Sequence, residues 1–223
     1  MCPDTMNTSK QSKERGYKMP NIILDSVRGP QPVPIDDMFL KNRKIFLVGE
    51  VNDASCNNLI KQLLYLEAED NTQPITLFIN SPGGDVGSGL AVYDTIRLME
   101  SPVTAVVTGI AASMGSIILL ACDKDKRLML PSSKVMIHDC SWGHREMGGM
   151  KPFEIEQELK QLEQVNERLV SIIAERTGKN VKQVSKVTMS DSYFNAEEAI
   201  EFGLASKVID SDCLRDLMKR TMV

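Results

Sequence analysis

The sequence predicts an α/β domain in which helices cover both faces of a parallel β-sheet. Short runs that are apolar throughout, at residues 44–48, 75–79 and 103–107, alternate with longer stretches whose apolar residues recur at helical spacing. Strands that are apolar on both faces and separated by helices are typical of βαβ units. A chain of 223 residues can form one such domain with a large core. We therefore expect a three-layer α/β core.

The first helices follow from this alternation. Residues 53–69 carry leucines at helical spacing, which predicts a helix after the first strand. The second strand runs through the paired glycines Gly83 and Gly84 into a predicted helix near residues 86–99. The third strand runs into a helix that we expect to begin around Ala111.

The second half of the chain predicts two short strands and one long helix. The strand-like runs lie at residues 127–130 and 134–138, and the helix extends from about 152 to 177. Its apolar stripe is longer than one small core usually covers, so we expect part of it to pack on a neighbouring subunit. The stripe consists of Ile155, Leu159, Leu162, Val165, Leu169 and Ile172.

Glycine and asparagine residues mark the remaining element ends. Gly178 predicts the end of the long helix. Asn195 and Glu198 form a capping signature that opens a short helix, and Gly203 ends that helix. Residues 204–209 are then predicted as a last strand.

The two ends of the chain lack the pattern of a packed domain. Residues up to about Pro20 are polar and have no apolar periodicity. The prolines at positions 30, 32 and 34 favour an extended connector. We therefore divide the chain into a flexible tail and connector at 1–34, a domain at 35–210 and a C-terminal tail at 211–223.

Composition excludes several functional classes. The five cysteines are scattered and lack the spacing of a zinc site, so we interpret them as free thiols in a reducing cytosol. The chain has neither an apolar run of 18 residues nor a leader pattern, so we expect no membrane span and no signal peptide. A net charge of -4 and a pI near 5.4 give no electrostatic reason to bind nucleic acid. We expect a cytoplasmic protein.

Ser113 lies where a predicted strand passes into a helix. The surrounding segment 109–115 is rich in small residues. Unpaired N–H groups at the start of a helix can stabilise an oxyanion, which would suit a serine nucleophile. The alternative is that Ser113 is an ordinary N-cap, and for an isolated serine in such a turn that is the commoner case.

A second turn of the same kind favours catalysis. Asn80-Ser81-Pro82-Gly83-Gly84 also follows an apolar strand, and paired glycines let backbone N–H groups converge on a carbonyl oxygen. Both turns would lie at the carboxyl ends of adjacent parallel strands, where α/β proteins bind ligands. Taken alone, the glycines are equally consistent with ordinary turn chemistry.

The chain offers two histidines as a general base. His138 ends an apolar strand and can present its imidazole at the sheet edge, whereas His144 lies in a polar stretch. A single strand-end histidine is more often structural than catalytic. Because it occurs together with Ser113, the catalytic interpretation is favoured here, and we predict His138 as the general base.

The acid that would orient this base is less strongly specified. Asp139 is adjacent to the histidine, but successive side chains of an extended segment point to opposite faces. Asp191, in the loop before the short helix that Asn195 opens, is free of that objection. Spacing alone does not choose between Asp191 and three further candidates, Asp85, Asp123 and Asp125.

Four motifs together resemble the Clp protease family, whose proteolytic subunits are of the ClpP type. They occur in order and at compatible spacing from about Arg43 to Asp210. The motifs are Asn80-Ser81-Pro82-Gly83-Gly84, Ala111-Ala112-Ser113-Met114-Gly115, the segment from Leu130-Pro131 to Val135-Met136-Ile137-His138, and Asp191 followed by Asn195-Ala196-Glu197-Glu198-Ala199.

The resemblance implies a crotonase-like ClpP fold with repeated β-β-α and βαβ units and a protruding helical handle. It implies a catalytic triad of Ser113, His138 and Asp191. The N–H groups of Gly84 and Met114 would form the oxyanion hole, and an extended substrate would lie along the paired glycines 83 and 84. No metal or organic cofactor is required for such a mechanism.

The resemblance also implies a mode of assembly. Members form heptameric rings, single or stacked in pairs, that enclose the active sites. An AAA+ unfoldase feeds unfolded polypeptides into this chamber in an ATP-dependent manner. The chain would then be the proteolytic subunit of an ATP-dependent Clp protease.

The chain departs from the family pattern at four places. Asp139-Cys140 stands where the family usually has Gln-Pro, and extra residues at 147–150 lengthen the handle region. The proline-rich start differs from the segment that forms the axial entry loops. Many members carry an acidic residue and an arginine that pair across two rings, where this chain has Met189 and Ser190. We therefore expect stable heptamers but a weaker double ring.

Two other functional classes fit parts of the pattern. A crotonase-type acyl-CoA enzyme shares the two-N–H oxyanion hole but has no serine nucleophile. A non-catalytic ring subunit would keep the fold in order to assemble with an active paralogue. Covalent chemistry at Ser113 distinguishes both from a serine peptidase.

Overall fold

The computed structural model describes residues 20–26, 29–141 and 149–219. Contacts divide it into two compact units, one ending at Phe39 and one beginning at Leu40. The predicted flexible tail, His144 and the first half of the 147–150 segment lie outside the described residues.

Nine strands and eight α-helices are formed by the described residues. The strands are β1 (Asn21–Ser26), β2 (Gly29–Pro34), β3 (Lys44–Val51), β4 (Ile75–Gly84), β5 (Val103–Ala112), β6 (Arg127–Met129), β7 (Lys134–Ile137), β8 (Ser192–Phe194) and β9 (Lys207–Val208). The helices are α1 (Ile35–Lys41), α2 (Asp53–Glu69), α3 (Val86–Leu98), α4 (Met114–Ala121), α5 (Pro152–Thr177), α6 (Val181–Thr188), α7 (Ala196–Phe202) and α8 (Ser211–Met218).

The first unit contains a β-hairpin. Strands β1 and β2 are antiparallel, with Asn21 opposite Pro34 and Ser26 opposite Gly29. The predicted extended connector is therefore extended, but it is paired into two strands. A two-stranded sheet has only edge strands, on which proline is tolerated because one side of each strand needs no ladder hydrogen bond.

The second unit is built on a mostly parallel sheet. Its strands follow the order β3-β4-β5-β6-β9, and all of these neighbours are parallel. The last part of β5, Ile110–Ala112, leaves β6 and pairs with β7 instead. Strand β8 is antiparallel to β7, with Ser192 opposite Ile137. The carboxyl ends of β5 and β7 and the start of β8 consequently meet at one edge of the sheet.

One face of this sheet is covered by helices α2 to α5. Alternate residues of each strand point into a common core with the apolar sides of these helices, as the 3.6-residue and two-residue periods require. The core includes Ile45, Leu47, Leu77, Ile79, Ala105 and Val107 from the strands and Leu59, Leu63, Val92, Ile118 and Ile172 from the helices.

The opposite face is only partly covered. A single row of apolar residues crosses four strands, because Phe46, Phe78, Val106 and Leu128 are register neighbours. Within the described chain, α8 packs on this row through Cys213 and Leu217. Phe46 stays 40% exposed at the sheet edge, although its ring stacks on Phe78 at 5.0 Å. The expectation that helices cover both faces holds fully for one face only.

The long helix α5 occupies the predicted range and ends at Gly178, which adopts the left-handed conformation with φ 77°. The apolar residues of its second half are buried from Leu169 onward, whereas Phe153 and Leu159 in its first half are exposed. Among the residues that the structure describes, no helix is both long and apolar enough to span a bilayer.

Several element boundaries differ from the sequence predictions. Strand β5 continues to Ala112, so α4 begins at Met114 rather than near Ala111. The last strand, β9, has two residues instead of six. No helix or strand was predicted at α1, α6, β8 or α8, and β1 and β2 were predicted only as an extended connector. Helix α8 occupies much of the segment that we expected to be a C-terminal tail.

Candidate active site

Ser113 occupies a sharp turn between β5 and α4. Its φ of 52° is unusual for a residue with a β-carbon, and such strain persists only where the surroundings fix the backbone. Its N–H donates to the Met136 carbonyl at 2.9 Å. Its carbonyl accepts from the N–H of Ser116 at 2.9 Å and from the Ser116 hydroxyl at 2.6 Å. Its own side chain makes no capping bond to α4, so the N-cap alternative is not supported.

His138 follows β7 directly and reaches Ser113. Because Ala112 pairs with Met136, the chain leaves both strands at nearly the same level of the sheet. The His138 Nε2 atom lies 2.9 Å from the Ser113 Oγ. The imidazole is about one quarter exposed, so it is reachable from solvent.

Asp191 completes a continuous chain of hydrogen bonds. It lies between α6 and β8, and its Oδ1 is 3.0 Å from Nδ1 of His138. A carboxylate can only accept, so Nδ1 must carry the proton and Nε2 is left free to accept from the serine hydroxyl. Two bonds place the Asp191 loop: Asp139 N–H donates to the Thr188 carbonyl at 2.7 Å, and Ser192 pairs with Ile137.

Asp139 does not take part in this chain of hydrogen bonds. Its Oδ1 is buried and has no hydrogen-bond partner among the described residues. The side chain therefore does not orient His138, as the alternation of an extended segment predicts.

The three other aspartates left open by the sequence are engaged elsewhere. The pKa of Asp85 is held below its ordinary value mainly because its carboxylate accepts the Ser88 N–H at the start of α3. The remaining partners are Arg97 and Arg176 for Asp123 and Lys126 for Asp125. Asp191 is consequently the aspartate that contacts the histidine.

The paired glycines lie directly against the Ser113 turn. A β-carbon at Gly83 would come within 2.6 Å of Ser113 Cβ, and one at Gly84 would come within 2.2 Å of the Val51 carbonyl. Both have positive φ, 92° and 148°. This close approach requires glycine at both positions.

One of the backbone N–H groups near Ser113 can be excluded as an oxyanion donor. The N–H of Gly83 donates to the Ser81 hydroxyl at 3.1 Å, so it is already engaged. Met114 is the first residue of α4, where an N–H has no acceptor within the helix. These placements are compatible with Gly84 and Met114 as the two oxyanion donors.

A mostly apolar pocket opens beside the hydrogen-bonded chain. Cys140 forms part of its wall, where burial raises the pKa of the thiol and keeps it neutral. The wall is completed by Val86, Ser113, Met114, Ser116, Ile117, Ile137, His138, Leu169 and Ile173. The volume of this pocket is about 20 Å³, which is room for about one water molecule.

Ser116 and Ser81 are two functional neighbours that sequence reasoning missed. Ser116 holds the carbonyl of the strained Ser113, and Ser81 holds the turn of the paired glycines. Ser81 was visible as part of a motif, and Ser116 lies one helical turn after the nucleophile candidate. Spacing could have suggested either, but only the positive φ at Ser113 explains why its carbonyl needs a second donor.

The described residues hold no group of three or more His, Cys, Asp or Glu side chains that could bind a metal ion. What they do contain is a hydroxyl, an imidazole and a carboxylate in series beside the N-terminal end of α4. This arrangement at the strand ends of an α/β sheet is that of a serine hydrolase.

Comparison with protein families makes this class specific. The family model described as Clp protease matches residues 28–212 of the chain. The match covers most of the sequence, and the chain belongs to the Clp protease family. The resemblance drawn from the four motifs is therefore confirmed, and so is the mixed α/β fold with a mostly parallel central sheet.

Proposed function

We propose that the chain is the proteolytic subunit of an ATP-dependent Clp protease and acts as a serine endopeptidase on unfolded polypeptides. The observation that carries this proposal is the unbroken chain from Ser113 through His138 to Asp191, with contacts of 2.9 and 3.0 Å. The first distance lies within the range at which a base can take the proton of a nucleophile, and the second is a hydrogen bond that can orient the base.

The proposed reaction gives each of these groups a separate role. His138 takes the hydroxyl proton as Ser113 Oγ attacks the peptide carbonyl, and Asp191 stabilises the resulting imidazolium. The imidazolium then gives the proton to the leaving amine, and the acyl group stays on the serine. Water, activated by the same histidine, releases the acyl group as a carboxylic acid and restores the hydroxyl. The cycle consumes no cofactor.

The developing oxyanion would be stabilised by the N–H groups of Gly84 and Met114. Fixed backbone donors at the start of a helix need no reorganisation during the reaction, and removing one such donor typically costs about 100- to 1000-fold in kcat. Ser113, whose backbone is strained, directly precedes Met114 in the chain, and both residues line the apolar pocket.

The substrate would bind as an extended strand along Gly83 and Gly84. Recognition through backbone groups is tolerant of sequence, which suits an enzyme that degrades many proteins.

The proposal includes assembly into heptameric rings, single or stacked, fed by an AAA+ unfoldase in the cytoplasm. Its support is family membership together with the uncovered first half of α5, where Phe153 is 66% and Leu159 43% exposed. Apolar residues on an extended helix are expected to pack against another subunit in an oligomer.

Labelling with a fluorophosphonate tests the proposal directly. We expect stoichiometric phosphonylation that mass spectrometry maps to Ser113, with no labelling in Ser113→Ala. A crotonase-type acyl-CoA enzyme or a non-catalytic ring subunit would leave Ser113 unmodified, so either result at this residue decides between the classes.

A further inference from the structure

A second cavity lies at the C-terminal ends of α4 and α5, at the opposite end of α4 from Ser113. Its volume is about 270 Å³. Most of its wall is charged. The lining residues are Asp123, Lys124, Arg127, Glu175, Arg176, Thr177 and Gly178.

Arg127 is the most deeply placed of these charges, with an exposure of 1%. Its Nε donates to the Cys122 carbonyl at 2.9 Å. Its Nη1 donates to the carbonyls of Arg176 and Gly203 at 2.9 and 3.3 Å. Its Nη2 has no acceptor among the described residues. Because no nitrogen of this side chain is both fully buried and unpartnered among the described residues, Nη2 keeps some access to solvent.

Arg176 repeats this pattern from the last turn of α5. Its Nε donates to the Leu120 carbonyl at 2.9 Å, and its Nη2 donates to the Cys122 carbonyl at 2.8 Å. The same Nη2 lies 3.4 Å from the Asp123 carboxylate. Its Nη1, like Nη2 of the neighbouring arginine, has no acceptor in the described part of the chain.

The two guanidinium groups are incompletely compensated. Burial, and then the repulsion from Arg176, lowers the pKa of Arg127 to about 10. The nearest carboxylate, on Asp123, is 73% exposed and also pairs with Arg97. Helix-end carbonyls offset part of the charge. Hydrogen bonds to these carbonyls account for the Nε atom and one Nη atom of each arginine. They do not account for the remaining Nη atom of each arginine or for the open cavity beside these atoms.

We propose that this cavity binds a small oxyanion between Nη2 of Arg127 and Nη1 of Arg176. Guanidinium groups match the oxygen spacing of phosphate and carboxylate, and charge-assisted hydrogen bonds are about twice as strong as neutral ones. A bound anion would also relieve the repulsion between the two arginines. The site is independent of the proposed peptidase activity, since none of its residues contacts Ser113, His138 or Asp191.

Titration of the full-length protein with inorganic phosphate tests the site. Calorimetry and the unfolding midpoint would be followed at constant ionic strength, with chloride as the balancing ion. We expect saturable binding, and a parallel titration with acetate separates a phosphate site from a carboxylate site. Arg176→Gln should weaken binding by about tenfold or more, the loss expected for one charge-assisted contact.

Two further variants keep the test informative. Glu175→Gln removes a negative charge from the wall and should tighten binding several-fold, while Arg215→Gln on α8 is a matched charge control that should change nothing. Absence of saturable binding of either anion, or equal affinities for wild type and Arg176→Gln, would overturn the proposal. If Arg176→Gln does not fold, an unchanged affinity in Glu175→Gln is the contrary result.

Discussion

The Nε2 atom of His138 lies 2.9 Å from the Oγ of Ser113, although 25 residues separate them in the chain. The contact is set by the sheet: Ser113 N–H is bonded to the Met136 carbonyl, two residues before the histidine. Both side chains therefore leave rigid strands rather than mobile loops. A base and nucleophile held in this way are already at reacting distance before substrate arrives.

Replacement of the nucleophile should abolish hydrolysis without unfolding the protein. In Ser113→Ala we expect kcat on a fluorogenic peptide to fall by about 10⁶-fold, since the covalent route is lost. Ser171→Ala, an exposed serine on α5, is the matched control and should keep full activity. The unfolding midpoint should stay near that of wild type. Full activity of Ser113→Ala in a preparation free of contaminating peptidase would remove the serine from the mechanism.

Replacement of the acid should act through the histidine tautomer. Asp191→Asn can donate to Nδ1 and so stabilise the wrong tautomer, and we expect kcat to fall by about 10⁴-fold with little change in KM. Asp139→Asn should be mild, because the buried Oδ1 of Asp139 has no hydrogen-bond partner in the described chain. Steady-state kinetics of the two variants decide the matter, and the opposite ranking would assign the orienting role to Asp139.

The paired glycines give a prediction that separates backbone strain from a clash at the site. Gly83→Ala and Gly49→Ala both place a β-carbon at positive φ, near 92° and 84°. Only the alanine at position 83 would meet Ser113, because no atom lies within 4 Å of a β-carbon at position 49. Gly49→Ala should lose about 1–3 kcal/mol of stability from strain alone, and Gly83→Ala should lose more because it also clashes. We expect kcat to fall more than tenfold in Gly83→Ala alone, and equal activities would show that the turn does not position the nucleophile.

Much of this site could be predicted from the sequence because the candidate catalytic residues lie at the ends of predicted strands. Periodicity placed β4, β5 and β7, and alternation within an extended segment excluded Asp139. Periodicity and alternation do not distinguish Asp191 from Asp85, Asp123 and Asp125. The position of Asp191 depends on β8, a strand of three residues that pairs with β7, and on the hydrogen bond from the Asp139 N–H to the Thr188 carbonyl. Tertiary contacts of that kind leave no periodic signal.

The partly covered sheet face could not be predicted for a related reason. Strands that are apolar on both sides are typical of sheets covered by helices on both faces. Here the second apolar side is a row from Phe46 to Leu128. Helix α8, which packs on part of this row, has only eight residues and no fully buried side chain, so its pattern is too short to identify.

Burial of Cys122 predicts a loss of stability at alkaline pH. Burial raises the pKa of this thiol from 9.0 to about 12. Between these values the unfolded state releases a proton that the native state retains, so the stabilisation is complete below about pH 9 and falls as the pH rises towards 12. Arg127, whose pKa is lowered to about 10, acts in the opposite direction above that pH.

The effect of Cys122 on stability is therefore best measured between pH 9 and pH 10, below the pH at which Arg127 acts in the opposite direction. Urea denaturation of wild type should lose about 1 kcal/mol more across this window than Cys122→Ala, in which the thiol is absent. Comparison of the two slopes also removes the contributions of Cys56 and Cys140, whose thiol pKa values burial raises in both proteins. Parallel slopes would show that Cys122 ionises in the folded state as freely as in the unfolded one.

The proposed ring assembly leads to a prediction at Met189 and Ser190, the two residues that precede Asp191. Met189 is 78% exposed, and neither residue can form the ion pair that joins two rings in many members of the family. An arginine–carboxylate pair at such a contact contributes specificity as well as free energy. We therefore expect heptamers to persist on dilution while the double ring dissociates.

Met189→Glu combined with Ser190→Arg should restore the pair and shift this dissociation to concentrations at least tenfold lower, with a dependence on salt that wild type lacks. Sedimentation velocity across a dilution series at two salt concentrations measures both effects. A wild-type double ring that survives nanomolar dilution unchanged at either salt concentration would show that other contacts replace the missing pair.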